Sequence, residues 1–163
     1  MHITEQKQKI NFKELIICVA IPLLVAGLSA LLTRKGMQEF DQIIQPPLAP
    51  PAWLFPVVWT ILYVLMGIAS YLIYQRSESN TAVPSALRLY GVQLVFNFFW
   101  SIIFFNQKLY FFAFIWLIAL WALILFTISA FYQIDKRAAY LMIPYAIWVT
   151  FAGYLNLGIA ILN

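Results

Sequence analysis

Every charged residue of this chain lies outside five long apolar stretches, and this segregation limits the possible folds more than any other feature of the sequence. A helix of about 20 uncharged apolar residues is long enough to cross about 30 Å of hydrocarbon. The chain has 163 residues, of which 64% are hydrophobic and only 10% are charged. It therefore predicts an all-α membrane protein, a five-transmembrane-helix bundle. The apolar stretches cover residues 15–33, 52–75, 89–105, 109–131 and 138–162.

The connections between these stretches are too short for a second domain. We predict a polar tail over residues 1–14 and one five-helix domain over residues 15–163. The first stretch follows basic residues, as a secretory signal does, but its length favours a retained helix over a cleaved peptide. The predicted helices cover about 15–33, 52–75, 86–105, 109–131 and 138–162.

Basic residues are distributed unevenly over the two faces that an odd number of crossings creates. Arg34, Lys35 and Lys108 fall on one face. The positive-inside rule then predicts a cytoplasmic N-terminus and an outside C-terminus. No single patch collects the basic charge, so we expect no nucleic-acid partner. The other face carries Lys7, Lys9, Lys13, Arg76, Arg88, Lys136 and Arg137.

The longest predicted connection, residues 34–51, ends in a proline-rich run. Four prolines between Pro46 and Pro51 forbid a helix there and favour a stiff, extended path. Two interpretations are open: the run is a rigid spacer that starts the second helix, or it is a lid over the mouth of the bundle.

Uncharged polar and aromatic side chains recur at steps of three or four along three predicted helices, so each set shares one helix face. An amide without a partner in hydrocarbon costs roughly 4–8 kcal/mol on alkane scales, so Gln93, Asn97 and Asn156 should point into the bundle. There they either join helices together or contact a ligand. The three sets are Trp59, Tyr63, Met66 and Ser70; Gln93, Asn97, Trp100 or Ser101, and Phe104; and Tyr145, Trp148, Ala152, and Leu155 or Asn156.

Three tryptophans, Trp59, Trp100 and Trp148, lie too far from the span ends to act as interfacial anchors. A cavity walled by indoles and a few amides suits a large, flat, mostly apolar ligand. The apolar stretches contain no ionisable Asp, Glu, Lys, Arg or His, which argues against proton-coupled transport. With His2 as the single histidine, we expect no metal site, no cofactor and no catalytic triad. We expect Cys18, the single cysteine, to pack as a small apolar side chain.

Three motifs resemble, in their order and spacing, those of the translocator protein family (TspO/MBR), also called tryptophan-rich sensory proteins or peripheral-type benzodiazepine receptors. The resemblance covers about residues 15–163. The second-helix motif comprises Pro46, Pro50, Pro51, Trp53, Val58, Trp59, Thr60, Leu62, Tyr63, Met66 and Gly67. The third-helix motif comprises Gln93, Leu94, Asn97, Trp100, Ile103, Phe104 and Phe105, and the fifth Pro144, Tyr145, Trp148, Phe151, Ala152, Leu155 and Asn156.

The resemblance implies a five-helix bundle, often a homodimer, whose ligand cavity is capped by the first loop. It implies a receptor or sensor for porphyrin-like ligands in the lipid bilayer, here of a bacterial cell membrane. Three alternatives stay open: a light- and oxygen-dependent porphyrin-degrading enzyme using Trp59 or Trp148, a passive carrier, and a structural membrane subunit. The implied pocket comprises Pro50, Phe55, Trp59, Tyr63, Asn97, Trp100, Ser101, Trp148, Ala152 and Leu155.

Two departures from the family pattern affect what the resemblance implies. The family loop often reads Lys-Pro-Ser-Trp where this chain has Gln45-Pro46-Pro47-Leu48, so the loop lacks an indole and a cation. The cholesterol motif of animal members needs a Tyr and a basic residue, and neither follows Asn156.

Overall fold

The computed structural model of the chain describes residues 10–163, apart from the side chain of Asp41. Five helices in this range are long and apolar enough to cross a membrane. No strand occurs between residues 10 and 163. The predicted all-α fold with five membrane-spanning helices is confirmed. The helices are α1 (Phe12–Glu39), α2 (Leu54–Tyr74), α3 (Val83–Ser101), α4 (Tyr110–Ile134) and α5 (Lys136–Leu162).

Helix α1 is longer than the first apolar stretch at both ends. Asn11 caps its start, because the Asn11 side chain accepts a hydrogen bond from the Glu14 backbone N–H. Residues 12–14 of the predicted polar tail are therefore helical, while residues 1–9 of that tail lie outside the described range. At its other end α1 runs six residues past the predicted end at residue 33.

The first connection is consequently shorter than predicted. A 3₁₀ turn over Phe40–Gln42 continues α1, and the non-helical segment covers only residues 43–53. The prediction of a loop over residues 34–51 was wrong at its start, because Arg34 and Lys35 continue the helix beyond the apolar stretch. The proline-rich part itself is non-helical.

The helices form a ring in the order α1, α2, α5, α4, α3, and α3 closes the ring against α1 with few contacts. Helix α1 is the least buried of the five: among its described residues only Pro22, Ser29 and Thr33 are buried. Its outer face is apolar, as expected for a helix that faces lipid. Helix α3 itself touches α1 sparsely, and the turn that follows α3 makes the larger part of this contact.

Helices α1 and α2 touch backbone to backbone near Gly67. A Cβ atom at Gly67 would lie 2.5 Å from the Val19 Cα and 2.9 Å from the Cys18 carbonyl oxygen. That carbonyl has no N–H partner four residues on, because Pro22 lacks one. Glycine is therefore required at position 67, since any side chain would push the two helices apart.

The end of α3 continues into a π-helical turn over Ile102–Asn106 that packs against α1. A Cβ at Gly36 would lie 2.2 Å from the Phe105 carbonyl oxygen, so the two backbones approach closely there. The Asn106 side-chain amide also donates to the Leu32 carbonyl at 3.0 Å. These contacts fasten the second half of α1 to the end of α3, and single π-helical turns of this kind frequently occur at functional sites.

Candidate ligand-binding site

A cavity of about 440 Å³ lies inside the bundle between α1, α2, α3 and α5, beneath the first connection. Nine of the ten predicted pocket residues line it, and no charged side chain does so among the described residues. The three helices whose polar and aromatic faces were identified from the sequence do face one shared cavity. The nine are Phe55, Trp59, Tyr63, Asn97, Trp100, Ser101, Trp148, Ala152 and Leu155.

Pro50, the tenth predicted pocket residue, does not line the cavity. The proline-rich segment packs instead on the end of α5, where Pro46 lies so close to Gly158 that a Cβ there would come within 2.6 Å of it. The loop side of the cavity is supplied by Phe40 and Ala52. The role of the lining residues as ligand contacts stays a prediction.

Helix α1 supplies part of the wall that the sequence pattern did not reveal. Its small residues Ala26, Gly27 and Ala30 line the cavity and leave space within it. Buried Ser29 and Thr33 lie one turn apart on the same face, and the Thr33 hydroxyl donates to the Ser29 carbonyl at 2.8 Å. A Ser and a Thr four residues apart in an apolar helix were the available signal for this inward face. Leu23 and Met37 complete the contribution of α1.

Aromatic rings cover the remaining walls in mutual contact. The Phe55 and Trp148 rings meet edge to face with centroids 6.0 Å apart, and Trp100 stacks on Phe104 at 5.2 Å. Trp59 lies with its ring centroid 5.6 Å from that of Tyr63. Rings held by neighbouring rings keep their orientation, so a flat ligand would meet preformed aromatic faces.

A buried chain of hydrogen bonds closes the deep side of the cavity. The Tyr63 hydroxyl donates to Asn97 Oδ1 at 2.6 Å, and Asn97 Nδ2 donates to the Tyr145 hydroxyl at 2.8 Å. The Tyr145 hydroxyl in turn donates to Gln93 Oε1 at 3.0 Å. Asn97 thus joins α2, α3 and α5 while it also lines the cavity, and its amide keeps one further N–H for another acceptor.

The other two amides considered from the sequence hold helices together. Asn156 Oδ1 accepts from the Trp100 indole N–H at 3.1 Å, and Asn156 Nδ2 donates to the Tyr110 carbonyl at 2.7 Å. Gln93 Nε2 contacts the Met66 sulfur at 3.9 Å and completes its chain. Asn97 and Asn156 also line the cavity and Gln93 does not, so two of the three amides serve both packing and the cavity.

The indole N–H of Trp148 differs from that of Trp100. It is buried and meets no hydrogen-bond acceptor among the described residues. A buried donor without a partner costs about 1–3 kcal/mol, so its presence beside a cavity is informative. A ligand that brought an acceptor to this nitrogen would recover that energy.

The first connection is docked onto the C-terminal end of α5 by three hydrogen bonds. The Tyr154 hydroxyl donates to the Pro47 carbonyl at 2.8 Å. The Asn163 side chain accepts from the Ile44 N–H at 3.0 Å and donates to the Ile44 carbonyl at 3.1 Å. The connection is therefore a fixed cover whose opening requires these bonds to break.

Five apolar helices around an uncharged aromatic cavity define an integral membrane protein with an interior pocket of small-molecule size. The model of the TspO/MBR family matches residues 18–162. The chain is 34% identical over 150 residues to the tryptophan-rich protein TspO of Chlorobaculum tepidum, covering 91% of this chain and 95% of that protein. The chain belongs to the TspO/MBR family, which confirms the resemblance noted in its motifs.

Relatives with other names align over most of the chain as well. The tryptophan-rich sensory protein of Cereibacter sphaeroides is 37% identical over 122 residues, which is 75% of each chain. The translocator protein of Bos taurus is 34% identical over 140 residues, covering 83% of this chain and 82% of that protein. Membership therefore links this chain to bacterial and animal proteins alike.

Proposed function

We propose that the protein is a membrane receptor for flat, largely apolar ligands of the porphyrin class, which bind in the cavity beneath the first connection. The observation that carries this proposal is the unpartnered indole N–H of Trp148 beside an aromatic cavity of about 440 Å³. Small-molecule sites typically occupy about 300–1,000 Å³ and combine apolar walls with a few fixed polar groups. This cavity has both properties.

The chemistry of the wall supports a ligand with a large π-surface. The Trp59, Trp100 and Phe55 rings offer faces for stacking, and Asn97 and Trp148 offer N–H donors to pyrrole nitrogen or carbonyl acceptors. No described lining residue carries a charge, so ionised groups of a ligand would have to stay at the mouth, where water solvates them. Names such as "tryptophan-rich sensory protein" among the relatives fit a receptor.

Titration of protoporphyrin IX against the tryptophan fluorescence of the purified protein tests this proposal. We expect saturable quenching, and about fivefold weaker binding in Trp148→Phe, because a neutral hydrogen bond contributes about 1 kcal/mol. Trp121→Phe is the matched control. The Trp121 indole donates to the Thr150 hydroxyl, and Trp121 lines neither this cavity nor the second cavity described below. Unsaturable quenching in the parent protein would leave only a structural role for the aromatic wall.

A light-dependent porphyrin-degrading activity is the second candidate. The Trp59 ring lies 5.6 Å from Tyr63 and 6.1 Å from Tyr145, centroid to centroid, so an oxidised indole at the wall has neighbouring rings that could reduce it. Illumination of the aerobic complex tests this activity. If the Soret band persists, or decays equally in the parent, Trp59→Phe and Trp148→Phe proteins, a catalytic role for these indoles is excluded.

The passive-carrier alternative rests on α1. Helix α1 is the least buried of the five and supplies one wall of the cavity, so ligand could enter beside it from the lipid. Vesicles that hold the protein and an internal porphyrin trap would report it: accumulation faster than in empty vesicles supports a carrier, and an equal rate supports a receptor. The homodimer, the bacterial cell membrane and the cytoplasmic N-terminus remain proposals, supported by the family resemblance and by the distribution of basic residues.

A further inference from the structure

A second cavity, of about 420 Å³, lies at the opposite end of the bundle. It is bounded by the start of α1, the end of α2 and the first half of α3. Its polar lining consists of Glu14, Cys18, Ser70, Tyr74 and Tyr90. This set has no tryptophan and one carboxylate, so it calls for a ligand unlike a porphyrin.

The hydroxyl of Tyr90 is the feature that points to a ligand. Tyr90 is 6% exposed, it lines this cavity, and its hydroxyl meets no hydrogen-bond partner among the described residues. Ser70 is the neighbouring hydrogen-bonding group, but its single O–H already donates to the Gly67 carbonyl at 2.9 Å, so toward the Tyr90 hydroxyl it can only accept. The buried phenol oxygen therefore lacks a donor, and an N–H or O–H group brought in by a ligand would supply one.

The frame around this cavity is fixed rather than collapsible. The Tyr71 hydroxyl accepts from the Asn11 backbone N–H at 2.9 Å, which pins the start of α1 to α2. About two turns further along α1, the contact at Gly67 holds the two backbones together. Tyr90 itself packs against Phe131 with ring centroids 5.9 Å apart. The space between these contacts therefore persists in the folded protein.

The lining changes in character along the bundle axis. Glu14 and Tyr74 lie at the outer end, Cys18, Ser70 and Tyr90 lie about one helical turn deeper, and Ile21 and Leu94 close the inner end. Polar groups at the outer end and apolar groups at the inner end match an amphiphile that enters tail first. Ile17 and Ile21 are each 49% exposed, so the opening lies along the lipid-facing side of α1.

We propose that this second cavity binds a single-chain amphipathic amine, whose ammonium group pairs with Glu14 and donates to the Tyr90 hydroxyl while its chain fills the inner end. An ammonium carries three N–H donors and can serve the carboxylate and the phenol oxygen together. Glu14 is the one charged side chain among the described lining residues, so it favours a cation and repels a carboxylate ligand. The site is independent of the porphyrin cavity and of its proposed function.

Cys18 makes the proposal directly measurable, because it is the single cysteine of the chain and lines this cavity. The protein is placed in nanodiscs of one zwitterionic lipid with dodecylamine, dodecanol or dodecanoate at equal mole fractions. N-Ethylmaleimide, which is uncharged, then labels Cys18. We expect saturable protection of at least fivefold by the amine, less by the alcohol, and none by the acid.

Variants separate the two polar contacts. Tyr90→Phe removes only an unpartnered hydroxyl, so it should fold as the parent does and lose most of the protection by the amine. In Glu14→Gln, the amine and the alcohol should protect Cys18 from labelling equally. Tyr140→Phe, at a tyrosine exposed on α5, is the matched control and should behave as the parent does.

The thermal unfolding midpoint, measured with each amphiphile, compares the binding of amine, alcohol and acid without relying on thiol reactivity. A midpoint raised by the amine, and not in Tyr90→Phe, supports the proposal. Equal effects of amine, alcohol and acid, or an unchanged response in Tyr90→Phe, would overturn it. Protoporphyrin IX binding should be the same in Tyr90→Phe and parent proteins, so failure here is distinct from failure of the receptor proposal.

Discussion

The two cavities have nearly equal volumes, about 440 and 420 Å³, yet their walls differ in chemistry. The one beneath the first connection is walled by indoles and phenyl rings and has no described charged residue, whereas the other has no indole and includes a thiol and a carboxylate. Each contains a buried polar atom that meets no hydrogen-bond partner among the described residues: the Trp148 indole nitrogen in the first and the Tyr90 hydroxyl oxygen in the second. One bundle can therefore offer two unlike ligand environments, distinguished by side chains and not by size.

The region between the cavities is densely packed and polar at its centre. The chain from Tyr63 through Asn97 and Tyr145 to Gln93 joins three helices, and the α1–α2 contact at Gly67 lies at a similar depth. Changes in this middle region should disturb both cavities, while changes in one wall should disturb one. The following predictions test this distinction.

Gly67→Ala should have the largest effect. Its Cβ would lie under 3 Å from backbone atoms of α1, which cannot rotate away, and overpacking of this kind costs about 1–3 kcal/mol. We expect a clear fall in unfolding free energy in a denaturant titration and weaker binding in both cavities. Gly153→Ala, where a Cβ would lie 3.7 Å from a side-chain atom of Leu117, is the matched control. Equal stability of the two variants would refute the close approach.

Asn97→Leu should have the next-largest effect. It leaves the hydroxyls of Tyr63 and Tyr145 without their shared partner, which should lower the unfolding free energy by about 1–3 kcal/mol. Porphyrin affinity should fall together with stability, and the response of Cys18 to amphiphiles should change less. If porphyrin binding in Asn97→Leu equals that of the parent, Asn97 is a purely structural residue.

The ion pairs of Asp135 stabilise the end of the bundle that holds the second cavity. Asp135 pairs with Arg137 at 2.8 Å and Arg76 at 3.2 Å, and these cations, Arg137 above all, lower the pKa of its carboxyl from 3.8 to about 2. The stabilisation is present above pH 4 and is lost as the pH falls through about 2.

Asp135→Asn should therefore lower the unfolding free energy by roughly 1–2 kcal/mol at pH 6, and the gap to the parent should close between pH 4 and pH 2. Porphyrin affinity at pH 6 should be unaltered, because this residue is remote from the first cavity. A gap that stays constant down to pH 2 would contradict the ion-pair explanation.

Leu48→Gly should produce the smallest effect. Leu48 has a positive φ of 65° at the turn that the Ala49 N–H closes onto the Pro46 carbonyl, where glycine avoids a steric cost. We expect a gain of about 0.5–1 kcal/mol in unfolding free energy, with porphyrin dissociating no faster. Leu31→Gly, at an exposed position within α1, should destabilise instead. A loss of stability in Leu48→Gly would mean that its exposed side chain makes a necessary contact with lipid.

Much of the fold could be predicted because hydropathy and helical periodicity are local properties. Trp59, Asn97 and Trp148 were placed in one hollow because each stands on a helix face marked by polar and aromatic residues. Helix α1 gave little such signal, since a helix that is apolar all round does not show which face turns inward. Its wall residues, and the true length of the first connection, therefore needed the structure.

The docking of that connection and the second cavity depend on residues far apart in sequence. Asn163 meets Ile44 across 119 positions, and Tyr90, Ser70 and Cys18 come from three different helices. Periodicity within one helix carries no information about contacts between residues so far apart in the sequence. Pro50 does not line the cavity, and nothing in the sequence indicated that the neighbouring Pro46 packs against Gly158 on α5.

The dissociation constant of protoporphyrin IX, measured side by side for the parent, Trp148→Phe and Tyr90→Phe proteins, tests the central claim most directly. The account predicts saturable binding that Trp148→Phe weakens about fivefold and Tyr90→Phe leaves unaltered, since about 1 kcal/mol rests on the indole donor. Equal affinities of all three proteins, or the absence of saturation, would contradict a porphyrin receptor whose aromatic cavity lies beneath the first connection.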